Sequence, residues 1–198
     1  QPALYECLLR MQDENGDIVP AGLLMPAAEE LGLIRQLDRH VLELVLQELS
    51  QTEDIHLAVN VSGLTATDPV MLSHLFSMVQ ANAQVADRLT FEITETVAML
   101  DFEETARFVT KLRDLGCRIA IDDFGAGYTS FRHLKRLDVD VVKIDGQFVQ
   151  GLQNNRENQL FVRTLTELAK GFDMAVVAEC VEADVEAAAL RALGIDYL

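Results

Sequence analysis

Short apolar runs separated by stretches of helical periodicity constrain this chain more than any other feature. Ala3–Leu9, Leu57–Val61, Leu89–Ile93, Arg118–Ile121, Val141–Ile144 and Ala175–Ala178 have the length and apolar content of strands covered on both faces. Between them the period becomes helical. Ile34, Leu37, Val41, Val45 and Leu49 share one face, as do Phe102, Ala106, Val109 and Leu112, and again Phe161, Leu165, Leu168 and Phe172. Asp101 followed by Glu104 reads as an N-cap with a box-like partner. A last helix starts at Asp184 and runs to about Leu193, where Gly194 supplies the C-cap. Strands joined through helices imply right-handed crossovers and a parallel sheet. Six such units, spaced by roughly thirty residues, fit either a doubly wound sheet or a TIM-type barrel. No Pro- or Ser-rich linker divides the chain, so residues 1–198 read as one domain.

Composition excludes several function classes. With 16 Lys+Arg against 32 Asp+Glu, the net charge of −16 opposes non-specific attraction to nucleic-acid polymers or anionic membranes. No apolar run is long enough to insert in a bilayer, and no signal-peptide pattern opens the chain. Cys7, Cys117 and Cys180 lie far apart without a C-x-x-C, and are expected to be reduced, buried thiols of a cytosolic protein. His40, His56, His74 and His133 show no zinc-site spacing. Any bound metal would therefore be held by oxygen, which points to Mg²⁺ or Mn²⁺. The start at Gln1, without Met, suggests a fragment or a trimmed chain. Strand one begins almost at once, and the chain stops at Ile195-Asp196-Tyr197-Leu198, where a further strand would begin. A closed eight-strand barrel would thus lack a strand at each end.

The charged residues sit where such strands leave the sheet. Glu6 lies in the first strand, Asn60 near the end of the second and Glu92 near the end of the third. Asp122-Asp123 follow the fourth, Lys143 lies in the fifth and Glu179 follows the sixth. Ionised groups are costly in apolar strands. Parallel strands deliver them all to the carboxy-terminal rim, where α/β barrels place their chemistry. Interior salt bridges would account for some of these residues. The five carboxylates taken together would repel one another unless cations intervened. Two divalent ions about 3.5–4 Å apart resolve that repulsion and are suited to phosphodiester cleavage. The most informative stretch is residues 122–130, in which two adjacent carboxylates precede a loop made tight by Gly125 and Gly127.

These residues resemble the EAL-domain family of cyclic di-GMP phosphodiesterases. The matches are Tyr5-Glu6-Cys7-Leu8-Leu9-Arg10, Pro26-Ala27-Ala28-Glu29, Asn60-Val61-Ser62 and Glu92-Ile93-Thr94-Glu95. They continue through Asp122-Asp123-Phe124-Gly125, Lys143-Ile144-Asp145 and Ala178-Glu179-Cys180-Val181-Glu182, in order over essentially the whole chain. The resemblance implies a modified TIM (β/α)8-type barrel that hydrolyses cyclic di-GMP to linear pGpG in bacterial signalling. By motif position, Glu6, Asn60, Glu92 and Asp122 would bind a first Mg²⁺ or Mn²⁺ ion. Asp122 would bridge to a second, with Asp123 as its further ligand. Glu179 would assist at the metal site and act as the general base, Lys143 would hold or orient the attacking water, Arg10 would contact a substrate phosphate, and Glu95 would anchor the loop after Asp123. A homodimer, and a linked sensory or GGDEF domain, are further expectations from the family. So is action in the cytoplasm, including as the cytoplasmic part of a membrane-tethered protein.

Several positions depart from the family pattern. Cys7 takes the middle place of Glu-Ala-Leu, which should be tolerated because the metal needs only Glu6. Ala126 stands where threonine is common and Thr129 where serine is. Cys180 replaces the usual glycine after Glu179, which would alter backbone freedom beside the base. Its thiol is expected to be buried and inert rather than oxidisable. The family's Gln-Gly-Tyr motif falls beyond Leu198 and its Tyr-Gln-Pro-Ile strand is absent, Gln1-Pro2 being too close to Glu6. The first and last strands are therefore expected to be missing. The main rival function is a non-catalytic cyclic di-GMP receptor or protein scaffold; a different metal-assisted barrel enzyme is a third. Helices at Ser73–Gln84 and Glu103–Arg113 read as solvated surface. The Arg132, His133, Lys135 and Arg136 cluster reads equally as a solvated face or as a surface for an anion or a second subunit.

Overall fold

The computed structural model describes residues 3–127 and 131–198, and all six expected strands are present among them. Gln1-Pro2 and Thr129 lie outside the described residues. The chain divides into two compact units, Gln1–Glu92 with Lys111–Arg118, and Ile93–Thr110 with Ile119–Leu198.

The first unit contains β1 (Ala3–Cys7), β2 (Arg10–Gln12), β3 (Ile18–Pro20), α1 (Ala21–Glu30), α2 (Ile34–Gln51), β4 (Ile55–Asn60), α3 (Gly63–Ala66), α4 (Pro69–Ala81) and most of β5 (Leu89–Thr94). β4 pairs in parallel with β1 on one side and β5 on the other. Its Leu57, Ala58 and Val59 are consecutive and all buried, as a strand covered on both faces requires. The expected face of α2 is partly buried. Ile34, Val45 and Leu49 are fully enclosed, and Leu42 and Leu46 complete the stripe. The guanidinium of Arg88 closes this helix by donating to the carbonyls of Leu49 and Thr52, each at 2.6 Å. α4 starts four residues before the expected Ser73. Pro69 fits its first turn, and the Asp68 carboxylate accepts the backbone N–H groups of Val70 and Met71. The antiparallel β2–β3 hairpin is an addition to the expected elements, although Asp-Glu-Asn-Gly-Asp is turn chemistry. There the Asp13 carboxylate accepts the N–H groups of Asn15 and Asp17.

The second unit contains α5 (Glu95–Leu100), the start of α6 (Phe102–Asp114), nearly all of β6 (Arg118–Phe124), α7 (Phe131–Leu137), β7 (Val141–Ile144), α8 (Gly146–Val149), α9 (Arg156–Lys170), β8 (Ala175–Ala178) and α10 (Asp184–Ala192). β7 pairs in parallel with β6 and with β8. Beyond β8, Tyr197 makes an isolated parallel bridge to Val177. Asp101 accepts the N–H of Glu104 at 3.1 Å, as the cap reading requires. α10 ends before Gly194, whose φ of +86° is the left-handed turn expected of a C-terminal glycine. The register of β6 corrects the expected strand end at Ile121. Ile121 pairs with Val142, but Phe124 pairs with Ile144, so β6 carries one extra residue and continues past a bulge.

Candidate functional site

In the first unit, three of the expected residues meet at the carboxy ends of neighbouring strands. Register places Asn60 opposite Glu92, and Glu6 opposite Ala58, two residues earlier on β4. Side chains two apart on a strand share a face, so Glu6, Asn60 and Glu92 point the same way. The Asn60 amide donates to the Glu6 carboxylate at 2.9 Å, and carboxylate oxygens of Glu6 and Glu92 lie within 4.8 Å. Glu92 is almost fully enclosed, while Glu6 and Asn60 are exposed.

A second cluster forms in the second unit, and the β6 bulge explains its shape. Consecutive residues of a regular strand face opposite ways. The extra residue and the left-handed backbone of Asp123 (φ +53°) break that alternation. Asp122, Asp123 and Glu179 therefore each bring a carboxylate oxygen within 4.8 Å of the others. Lys143 is nearly buried among them, its ammonium 2.8 Å from Glu179 and 3.1 Å from Asp122. An ammonium in such surroundings is tolerable only when paired, and the expected interior salt bridge is found here, between Lys143 and the carboxylates of Asp122 and Glu179. The N–H of Glu179 donates to the carbonyl of Ile144 at 3.3 Å, tying the exit of β8 to that of β7.

The loop after Asp123 is held from two sides. One oxygen of the buried Glu95 accepts the N–H groups of Gly125 at 2.8 Å and Gly127 at 3.0 Å. Opposite, Gly125 has φ +103°, and a Cβ there would fall 2.6 Å from Phe148 and 2.7 Å from Phe161. Those two rings stack with centroids 4.1 Å apart. Sequence reasoning misses this aromatic platform: Phe161 is legible only as part of a helical face, and Phe148 stands four residues after Ile144.

Other expectations fare differently. Arg10 lies exposed in β2 and donates to the Leu9 carbonyl. The cysteines are not uniformly buried: Cys117 is, Cys7 is half-buried and Cys180 is exposed. Cys180 has a left-handed backbone (φ +54°), which turns it out of line with the apolar residues of β8. All three thiols are pushed up from their ordinary range. Burial takes Cys117 to about 12, with Asp87 adding to the effect. Desolvation acts first on Cys7 and Cys180 as well, reinforced by Glu92 and Glu6 at Cys7 and by Glu179 and Asp145 at Cys180. Two basic residues of α7, Lys135 and Arg136, are engaged within their own unit. Arg136 pairs with Glu103 at 2.8 Å and lies over the Phe102 ring, and Lys135 lies over Phe172. No described helix is long and apolar enough to cross a membrane.

A family model described as "EAL domain" matches residues 1–198. The chain is 36% identical to the cyclic di-GMP phosphodiesterase PdeF of Escherichia coli over 98% of its own length, but over only 26% of that protein. It therefore spans about a quarter of this relative. Among solved structures, the FimX EAL domain from Pseudomonas aeruginosa bound to c-di-GMP is similar at TM-score 0.90 and 31% identity, covering 98% of this chain and 79% of that one. The c-di-GMP complex of the PaMucR phosphodiesterase scores 0.86 at 30% identity, with 96% and 79% covered.

Proposed function

The chain belongs to the EAL domain family and has its TIM-barrel-like fold, and from that premise we propose that it hydrolyses cyclic di-GMP to linear pGpG with the aid of divalent cations. The observation that carries this reading is the second cluster: three carboxylates within 4.8 Å of one another around a single nearly buried ammonium. So concentrated an all-oxygen set fits hard divalent ions, Mg²⁺ or Mn²⁺. By motif position Glu6, Asn60, Glu92 and Asp122 would hold one ion, and Asp122 with Asp123 a second. Bound there, such ions acidify water and offset charge developing on phosphoryl oxygens.

The chain's own residues do the rest. Glu179 accepts the proton of the attacking water, and Lys143 fixes the direction of that carboxylate while orienting the water. The new bond runs from water oxygen to phosphorus and the P–O3′ ester bond breaks; the 3′-oxygen takes a proton from solvent, and Glu179 returns to solvent the one it accepted. Arg10 supplies positive charge to a phosphate, and Glu95 keeps the loop after Asp123 in place. The same reading has the domain working in the cytoplasm as a homodimer, linked to a sensory or GGDEF domain. Hydrolysis in ¹⁸O-labelled water tests the chemistry. One heavy oxygen should enter the 5′-phosphate of pGpG, and unlabelled product, or binding without turnover, would contradict the proposal.

A further inference from the structure

Gly146 and Cys180 meet beside the Lys143–Glu179 ion pair. β7 and β8 run in register up to Ile144 opposite Ala178, and the Glu179 N–H bonds back to Ile144. Two residues further along each chain segment stand Gly146 and Cys180. Asp145 caps α8 through the N–H of Gln147, which fixes Gly146 as the first residue of that helix. Cys180 is left-handed at φ +54°, a conformation that disfavours any residue with a Cβ. A Cβ on residue 146 would fall 2.8 Å from the Cys180 Cβ and 2.9 Å from its Sγ. Real side chains do not approach so closely. The space a side chain at 146 would fill already holds the thiol.

We propose that Gly146 is a positioning residue for Glu179: by leaving its side-chain space to Cys180, it lets the exit of β8 close on that of β7. That closeness keeps Glu179 in reach of Lys143, at 2.8 Å, and of Asp122 and Asp123. Cys180 is therefore not a neutral replacement for glycine beside the base. It makes residue 146 a position where only glycine fits, whereas a glycine at 180 would free that position. This inference rests on the proposed hydrolysis only for its kinetic readout.

The test is a double-mutant series of Gly146→Ala, Cys180→Gly and both together. Each variant is followed by cyclic di-GMP hydrolysis and, independently, by Mn²⁺ binding from the loss of the free-ion EPR signal. Gly146→Ala should lower kcat about tenfold with KM changed less than twofold, and should weaken Mn²⁺ binding. The double variant should recover both to within about threefold of Cys180→Gly. A fully active, fully Mn²⁺-binding Gly146→Ala overturns the proposal. So does a double variant no better than Gly146→Ala, because the damage would then not pass through Cys180. Should Gly146→Ala fail to fold, recovery of the native fold in the double variant supports the contact and its absence overturns it. If the wild type binds Mn²⁺ without hydrolysing the substrate, the proposed function fails, and the Mn²⁺ series still decides this inference.

Discussion

Lys143 is a single residue whose surroundings follow from its neighbours along the chain. A lysine inside Val-Val-Lys-Ile has no place in a strand covered on both faces unless something offsets its desolvation, and its partners are Asp122 and Glu179. Glu6, Asn60 and Glu92 are legible in the sequence for the same reason, as polar interruptions of apolar strands. Cys180 is not, because its apolar neighbours Ala178 and Val181 suggest burial, and only the left-handed backbone turns it outward. Replacing Lys143 by Met should separate two effects. Removing the ammonium deletes a positive charge that competes with cations for Asp122 and Glu179, so calorimetry should find tighter Mn²⁺ binding. Hydrolysis should nevertheless fall about a hundredfold or more, since the water loses its orienting group. Weaker Mn²⁺ binding would contradict this account of the site.

At the scale of elements, the strands and long helices are readable because burial imposes a period. The bulge in β6 is not, since one inserted residue leaves the apolar pattern unchanged while redirecting Asp123. Neither is the double support of the following loop, because Glu95 and Phe161 are distant in sequence from Gly125. Glu95→Ala leaves the N–H groups of Gly125 and Gly127 without their carboxylate. It should cost about 2 kcal/mol in urea unfolding, and Glu95→Gln clearly less because the amide oxygen still accepts. α10 carries a pH-dependent staple. Glu186 accepts the N–H groups of Gly151, Glu182 and Ala183, which hold its carboxyl below the usual range, Gly151 foremost. A depressed folded-state value contributes stability above the unfolded value, about 4.3, and loses it as pH falls through the folded one. The thermal midpoints of wild type and Glu186→Gln should differ at pH 7, and the gap should narrow as pH falls below about 4.3. A gap that does not narrow with falling pH would contradict the staple.

For the whole molecule, the alternation of strands and helices leaves a doubly wound sheet and a barrel equally open. Only the ordered motifs, borne out by family membership, decide for the TIM-barrel-like fold. The charge of −16 reads differently once its distribution is known. It still opposes polymeric nucleic acid, but Glu6, Glu92, Asp122, Asp123 and Glu179 are the groups that bound cations would mask, and a small phosphodiester needs only that local neutralisation. The most direct measurement is chromatographic assay of cyclic di-GMP incubated with the protein in Mg²⁺ or Mn²⁺, with chelator, and with Glu6→Ala. In the wild type pGpG should accumulate, a chelator should abolish its formation, and Glu6→Ala should reduce it at least a hundredfold. Tight binding of cyclic di-GMP with no product, or turnover indifferent to chelator, would overturn the proposed metal-dependent hydrolysis.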